Sequence, residues 1–144
     1  MKIKVKRVSP TAVLPSHGSS LAAGYDLYAD IPEDCRIAPH ETKVIDTGLQ
    51  FELPDGYFAG IFARSGIATR EGLRPANCVG ICDSDYRGNY MVAIHNDSEE
   101  VRTVTVHEKI AQMIVMPYLP LEFEETEDLS DTARGEGGFG STGK

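Results

Sequence analysis

Positive charge is scarce in this sequence: 14 Lys and Arg face 22 Asp and Glu, a formal net charge of -8 at pH 7. A nucleic-acid polymer is therefore not the expected partner, because such binders gather a basic face that displaces counterions. A small anionic ligand stays open if cations are gathered locally. Cysteine is equally sparse. Cys35, Cys78 and Cys82 make no C-x-x-C pair and, being odd in number, suggest no disulfide framework, which fits a reducing, intracellular setting. No stretch approaches a membrane span, and the basic start MKIKVKRV has no apolar run behind it. The expectation is a soluble chain with no visible address, cytoplasmic, or nuclear if the source is eukaryotic. Its 144 residues suffice for one domain with a real core but not for a separate cofactor domain.

Long amphipathic helices, internal repeats and linkers are missing too. Short runs that alternate or are β-branched dominate: Lys2 to Val8, Lys43 to Thr47, Leu49 to Leu53, Tyr57 to Phe62, Tyr90 to His95, Val101 to Val106 and Ile110 to Met116. In Leu49 to Leu53 the residues Leu49, Phe51 and Leu53 share one face and Gln50 and Glu52 the other, the period of a half-buried strand. Turn residues divide the runs at Ser16-His17-Gly18, Pro54-Asp55-Gly56, Arg87-Gly88-Asn89 and Asn96-Asp97-Ser98. The spacing predicts an all-β sandwich or barrel with one helix of about two turns, from Ser65 through Ala68 to Glu71, closed by Gly72. The acidic run from Glu122 to Asp131 reads as a solvated edge and connection.

The end of the chain, RGEGGFGSTGK from Arg134 to Lys144, satisfies two phosphate-binding patterns. Gly135, Gly137 and Gly140 spell G-x-G-x-x-G, and Gly138, Gly143 and Lys144 spell G-x-x-x-x-G-K. Both patterns need a strand before the glycines and a helix after them, and neither context is offered here. What remains is an arm carrying backbone amides, the hydroxyls of Ser141 and Thr142, the Arg134 cation and the Phe139 ring, the parts of a lid over a nucleotide. A glycine-rich terminus without ligand is the plainer alternative.

Other segments carry candidate chemistry. Gly80-Ile81-Cys82-Asp83-Ser84-Asp85-Tyr86-Arg87-Gly88 reads as a hairpin tip with two carboxylates and an aromatic, either an ordinary turn or a platform for a general base or a metal ligand. Asn77 upstream has the paired donor and acceptor that read a base edge. Ala63-Arg64-Ser65-Gly66 opens the helix, so Ser65 is either a simple N-cap or, with Arg64, part of an anion site. Asp26 stands at the start of a strand beside small residues. Gln112 is polar in an apolar run and needs partners if buried. His17, His40, His95 and His107 lack ligand-like spacing, and surface or hydrogen-bonded roles are expected of them.

Five stretches in order, AAGYDLYA, ARSGIA, GICDSDYRG, KIAQMI and RGEGGFGSTG, resemble the five motifs of the homotrimeric dUTP pyrophosphatase (dUTPase) family across nearly the whole chain. Small departures are Ala63 for Pro, Cys82 for Ile or Val, and His107-Glu108-Lys109 where Gly-Asp/Glu-Arg is usual. The resemblance implies a β-clip or distorted jelly-roll domain over residues 1–133, an arm over 134–144, and a homotrimer with three shared sites. It implies hydrolysis of dUTP to dUMP and pyrophosphate, which limits uracil in DNA and supplies dUMP for dTMP synthesis. Asp83 is then the residue that contacts the 3′-hydroxyl and orients or deprotonates the water attacking the α-phosphorus. Tyr86 packs beneath the sugar. Asn77, the backbone of Gly80, Ile81 and Cys82, and Met91 meet the uracil. Arg64, Ser65, Gly66 and Gln112 meet the phosphates, and Asp26 holds waters of a Mg²⁺ carried by the triphosphate. Phe139 covers the base, with Arg134, Gly140, Ser141 and Thr142 at the phosphate end. Alternatives are a binding or regulatory protein on the same fold, and a dCTP deaminase, for which Asn89 to Ile94 offers no carboxylate.

Overall fold

The computed structural model describes residues 1–138. In chain order the strands are β1 (Lys4–Arg7), β2 (Tyr25–Tyr28), β3 (Cys35–Ile37), β4 (Thr42–Asp46), β5 (Leu49–Glu52) and β6 (Tyr57–Phe62). After the helix α1 (Ser65–Glu71) come β7 (Leu73–Pro75), β8 (Val79–Cys82), β9 (Met91–Asn96), β10 (Arg102–Val104) and β11 (Lys109–Pro117). They form a four-stranded sheet in the order β2-β11-β6-β8, a three-stranded sheet β4-β9-β7 and the pairs β1-β5 and β10-β3. Every pairing is antiparallel. The inward residues Leu27, Ile45, Leu49, Ile61, Ile94 and Ile110 are all buried between these sheets, each a side chain whose removal from water stabilises the fold by about 1.5–3 kcal/mol.

Among the described residues, all-β architecture with a single short helix agrees with the sequence expectation. The helix ends as expected at Gly72, whose φ of 70° lets its N–H reach the carbonyl of Ile67. Its start differs. Arg64 is the N-cap residue, in extended conformation, no side chain caps the helix, and Ser65 is already helical. The segment after β8 is not a hairpin either. β8 pairs with β6 and β9 pairs with β4 and β7, so Asp83 to Tyr90 is a crossing between two sheets. Strands β3, β7 and β8 are too short, at three or four residues, for alternation to announce them; pairing partners supplied by the rest of the fold make them strands. The exposed His40 and the half-buried His95 are both hydrogen-bonded, to Glu99 at 3.0 Å and Thr42 at 2.9 Å respectively.

The turn from β10 into β11 explains one departure from the family pattern. His107 has φ 60°, its N–H reaches the Ala29 carbonyl at 2.9 Å, and the Glu108 carboxylate accepts the Thr105 N–H at 2.8 Å. A left-handed residue with a Cβ costs about 1–2 kcal/mol, whereas the extra freedom of glycine in the unfolded chain costs about 0.5–1 kcal/mol. His107→Gly is therefore expected to raise the unfolding free energy by about 0.5–1 kcal/mol, read as a higher urea midpoint at unchanged slope. A lower midpoint would mean that the imidazole itself contributes packing.

Candidate active site

The crossing from β8 to β9 builds one cleft. About 320 Å³ in volume, it is lined by Asn77, Gly80, Ile81, Cys82, Asp83, Tyr86 and Met91, together with Val44, Asn89 and Tyr90. The loop is pinned by its own polar groups. Tyr86 N–H reaches the Asp83 carbonyl at 3.2 Å, the Arg87 guanidinium donates to the carbonyls of Ser84 at 2.6 Å and Tyr86 at 3.1 Å, and the Tyr86 hydroxyl donates to the Asn89 carbonyl at 3.2 Å. Asn89 is in turn tied to Gln50 and Asp46, both at 3.0 Å. The exposed Asp83 carboxylate makes no hydrogen bond among the described residues, so it is a fixed and uncommitted acceptor. Gly80 is buried because a Cβ there would meet the Asn77 amide and Ile61 at 3.2 Å, and its absence lets the strand backbone line the cleft.

Burial pushes the Cys82 thiol above its usual range, and the neighbouring Asp83 charge adds to that, so the group beneath the cleft is disfavoured as a thiolate. Tyr90 is a floor residue that the sequence reading missed. Its ring packs on Phe51 with centroids 4.5 Å apart and lies 6.0 Å from the Tyr86 ring.

A second cleft of about 400 Å³ gathers Asp26, Arg64, Ser65, Gly66 and Gln112 with the small residues Gly18, Ala22, Ala23 and Gly24. Asp26 is the hub. Its Oδ1 accepts from Arg64 Nε at 2.7 Å and its Oδ2 from Lys109 Nζ at 2.9 Å, with the carboxylate side chain only 13% exposed. Arg64 Nη1 also donates to the Lys109 carbonyl at 3.2 Å. Gln112 donates from Nε2 to the Ala63 carbonyl at 2.9 Å, and its Oε1 lies so close to Gly24 that any side chain there would displace the amide.

A β-bulge puts these groups together. β11 pairs Lys109 with Tyr28 but Ala111 with Leu27 and Gln112 with Asp26, so one extra residue intervenes and both Ile110 and Ala111 are buried. In a regular strand residues 109 and 112 face opposite ways; the bulge turns both toward Asp26. Lys109 was visible in the sequence only as a departure from a motif, and no periodicity could reveal the bulge.

Strand order separates the two clefts. Asp26 and Gln112 stand at the β2-β11 end of the four-stranded sheet, whereas Gly80, Ile81 and Cys82 belong to β8 at its other edge, with Ile81 on the same face as Asp26 and Gln112 and with Gly80 and Cys82 on the opposite one. No residue lines both. Arg134 joins neither, its Nε donating to the Gly137 carbonyl at 2.7 Å. The remaining arm candidates, Phe139, Gly140, Ser141 and Thr142, lie outside the described residues.

For a divalent ion the donor set is restrictive. Among the described residues no group of three or more His, Cys, Asp or Glu could hold one, and each Asp26 oxygen already faces a cation. Direct ligation would bring the ion against Arg64 and Lys109. The second lone pairs of the carboxylate can still accept from water, which fits an ion that takes its inner ligands from phosphates. No helix of the described residues is long and apolar enough to cross a membrane.

The dUTPase family model matches residues 11–143. A deoxyuridine 5′-triphosphate nucleotidohydrolase of Nautilia profundicola is 45% identical over 144 residues, covering 100% of both chains, and one of Hahella chejuensis is 40% identical over 99% of this chain and 95% of its own. Among solved structures, a variant of the Staphylococcus bacteriophage 80alpha dUTPase bound to dUpNHpp superposes with a TM-score of 0.86 at 27% identity, over 99% of each chain. A variant dUTPase of phage phi11 of S. aureus, described with a structural Mg(II) ion, shares the fold at a TM-score of 0.79 and 23% identity, over 91% of this chain and 100% of that one.

Proposed function

The chain belongs to the dUTPase family and hydrolyses dUTP to dUMP and pyrophosphate, and from that premise we propose how its residues divide the work. Asp83 carries the reading: a carboxylate free of protein partners at the rim of a cleft that also holds Asn77 and Tyr86. It accepts the 3′-hydroxyl and takes a proton from the water that attacks the α-phosphorus. Tyr86, held flat by its hydroxyl, closes the space a 2′-hydroxyl needs. Asn77 and the exposed edge of β8 pair with the uracil, where a cytosine would leave buried polar groups unpaired.

The triphosphate lies along the second cleft, on Arg64, Ser65, Gly66 and Gln112. Mg²⁺ brought with the nucleotide would supply charge neutralisation on its phosphates, and Asp26 would hold it through water. The first cleft lies at the β8 edge of the four-stranded sheet and the second at its β2-β11 end, with no lining residue in common, so a nucleotide that uses both is best served by two copies of the chain. This favours a homotrimer with sites shared between subunits. The connection into the arm supports it. Leu119, Leu121 and Phe123 alternate with Pro120, Glu122 and Glu124 and are 82%, 72% and 89% exposed, the pattern of a strand whose apolar face awaits another surface. The arm, residues 134–144, crosses with it and closes over a neighbour's site.

Of the other readings, a dCTP deaminase is disfavoured because β9 offers no carboxylate to the cleft, Met91 and Ala93 being its lining residues there besides Val92. Pyrophosphate release measured on dUTP, UTP, dCTP and dTTP tests the specificity. One missing base or sugar contact is worth about two to five orders of magnitude where a buried polar group is left unpaired, so dUTP is expected to stand alone. Comparable hydrolysis of UTP would remove Tyr86 from its role.

A further inference from the structure

Beside the second cleft stands a cation, Lys109, that opens the KIAQMI stretch but has been given no role of its own. Lys109 sits at the start of β11, turned to the cleft face by the bulge, with its ammonium 2.9 Å from Asp26 Oδ2 and 5.8 Å from the Tyr28 ring centroid. Arg64 uses Nε on Asp26 and Nη1 on the Lys109 carbonyl, and Nη2 has no hydrogen-bond partner among the described residues. One carboxylate is therefore shared by two cations. If Arg64 alone faced Asp26, the two charges would cancel and the cleft floor would offer a polyanion little net attraction. With Lys109 present, one positive charge is left over.

We propose that Lys109 is a positioning residue of the phosphate cleft, a fixed cation that offsets Asp26 so that Arg64 keeps its charge for the triphosphate before any divalent ion arrives. This rests on the reading of that cleft as the triphosphate site. The ammonium never touches substrate; it acts through Asp26. Because both it and the metal ion neutralise the same region, the two overlap. The loss of Lys109 is felt most when the metal is absent, and a structural role alone has no such dependence.

The experiment is calorimetric titration of the full chain with a non-hydrolysable imido analogue of dUTP and with dUMP, each in Mg²⁺ and in chelator. Wild type should bind the analogue more tightly than dUMP in both; if it does not, the cleft is not the triphosphate site and the inference falls with it. Given that preference, Lys109→Met should weaken the analogue about fivefold in chelator, the scale of a part-exposed charge pair, less than twofold in Mg²⁺, and leave dUMP unchanged. Lys109→Arg should restore the wild-type values. Asp26→Asn should act with the opposite sign in chelator, tightening the analogue, because both cations are then uncompensated. Equal losses for analogue and dUMP in Lys109→Met, equal losses with and without Mg²⁺, or weaker chelator binding in Asp26→Asn would each overturn the proposal while leaving the triphosphate reading intact.

Discussion

Asp83→Asn is expected to fold, to bind nucleotide and to turn over roughly two to four orders of magnitude more slowly, the usual worth of a positioned general base. The substitution keeps the size and most of the hydrogen bonding of the side chain while removing its capacity to take a proton. Binding survives because the loop is held by other groups: the backbone bond from Tyr86 to Asp83, the Arg87 contacts to two carbonyls, and Asn89 anchored to Gln50 and Asp46. None of these uses the Asp83 carboxylate. Single-turnover measurement of dUMP formation at saturating dUTP isolates the chemical step from release of product. Near wild-type turnover would transfer the role elsewhere, and Asp85 on the same loop would be the next residue to change.

Stopping the chain before Arg134 should abolish turnover to a similar degree, about two to three orders of magnitude, if the arm completes charge stabilisation and excludes water. The more searching form mixes two inactive chains. One carries Asp83→Asn with its arm intact; the other is stopped before Arg134 with Asp83 intact. Mixed trimers should contain sites in which the good loop of the shortened chain meets the good arm of the other, and activity should partly return. The separation of the two clefts across the four-stranded sheet and the exposed apolar face of Leu119, Leu121 and Phe123 motivate this. Purified mixed trimers no more active than the two parents would show that one chain supplies both loop and arm, and the exchange between subunits would have to be abandoned.

Most residues that line the two clefts stood out in the sequence because the signals that mark them depend on local order in the chain. A carboxylate two residues after Ile81, an Arg-Ser-Gly step into a helix closed by Gly72 and the glycine-rich end are all short-range signals, and the strand runs followed from side-chain alternation. His107 shows the limit of such signals: its departure from the motif was visible, while its left-handed backbone was not. Cys82 likewise looked like a neutral exchange, and only the fold shows that burial pushes its thiol above the usual range.

By itself, then, the sequence determined the all-β class, the family resemblance and the residue types available for binding a nucleotide, since composition, alternation and motif order are properties of neighbours along the chain. Only the tertiary structure decided which of those residues share a surface. The crossing between sheets in place of a hairpin, the bulge that turns Lys109 and Gln112 to one side, and the separation of the two clefts across the sheet all depend on strand pairing and register. Register is set by pairing between segments distant in sequence, and a shift of one residue sends every side chain of a strand to the other face.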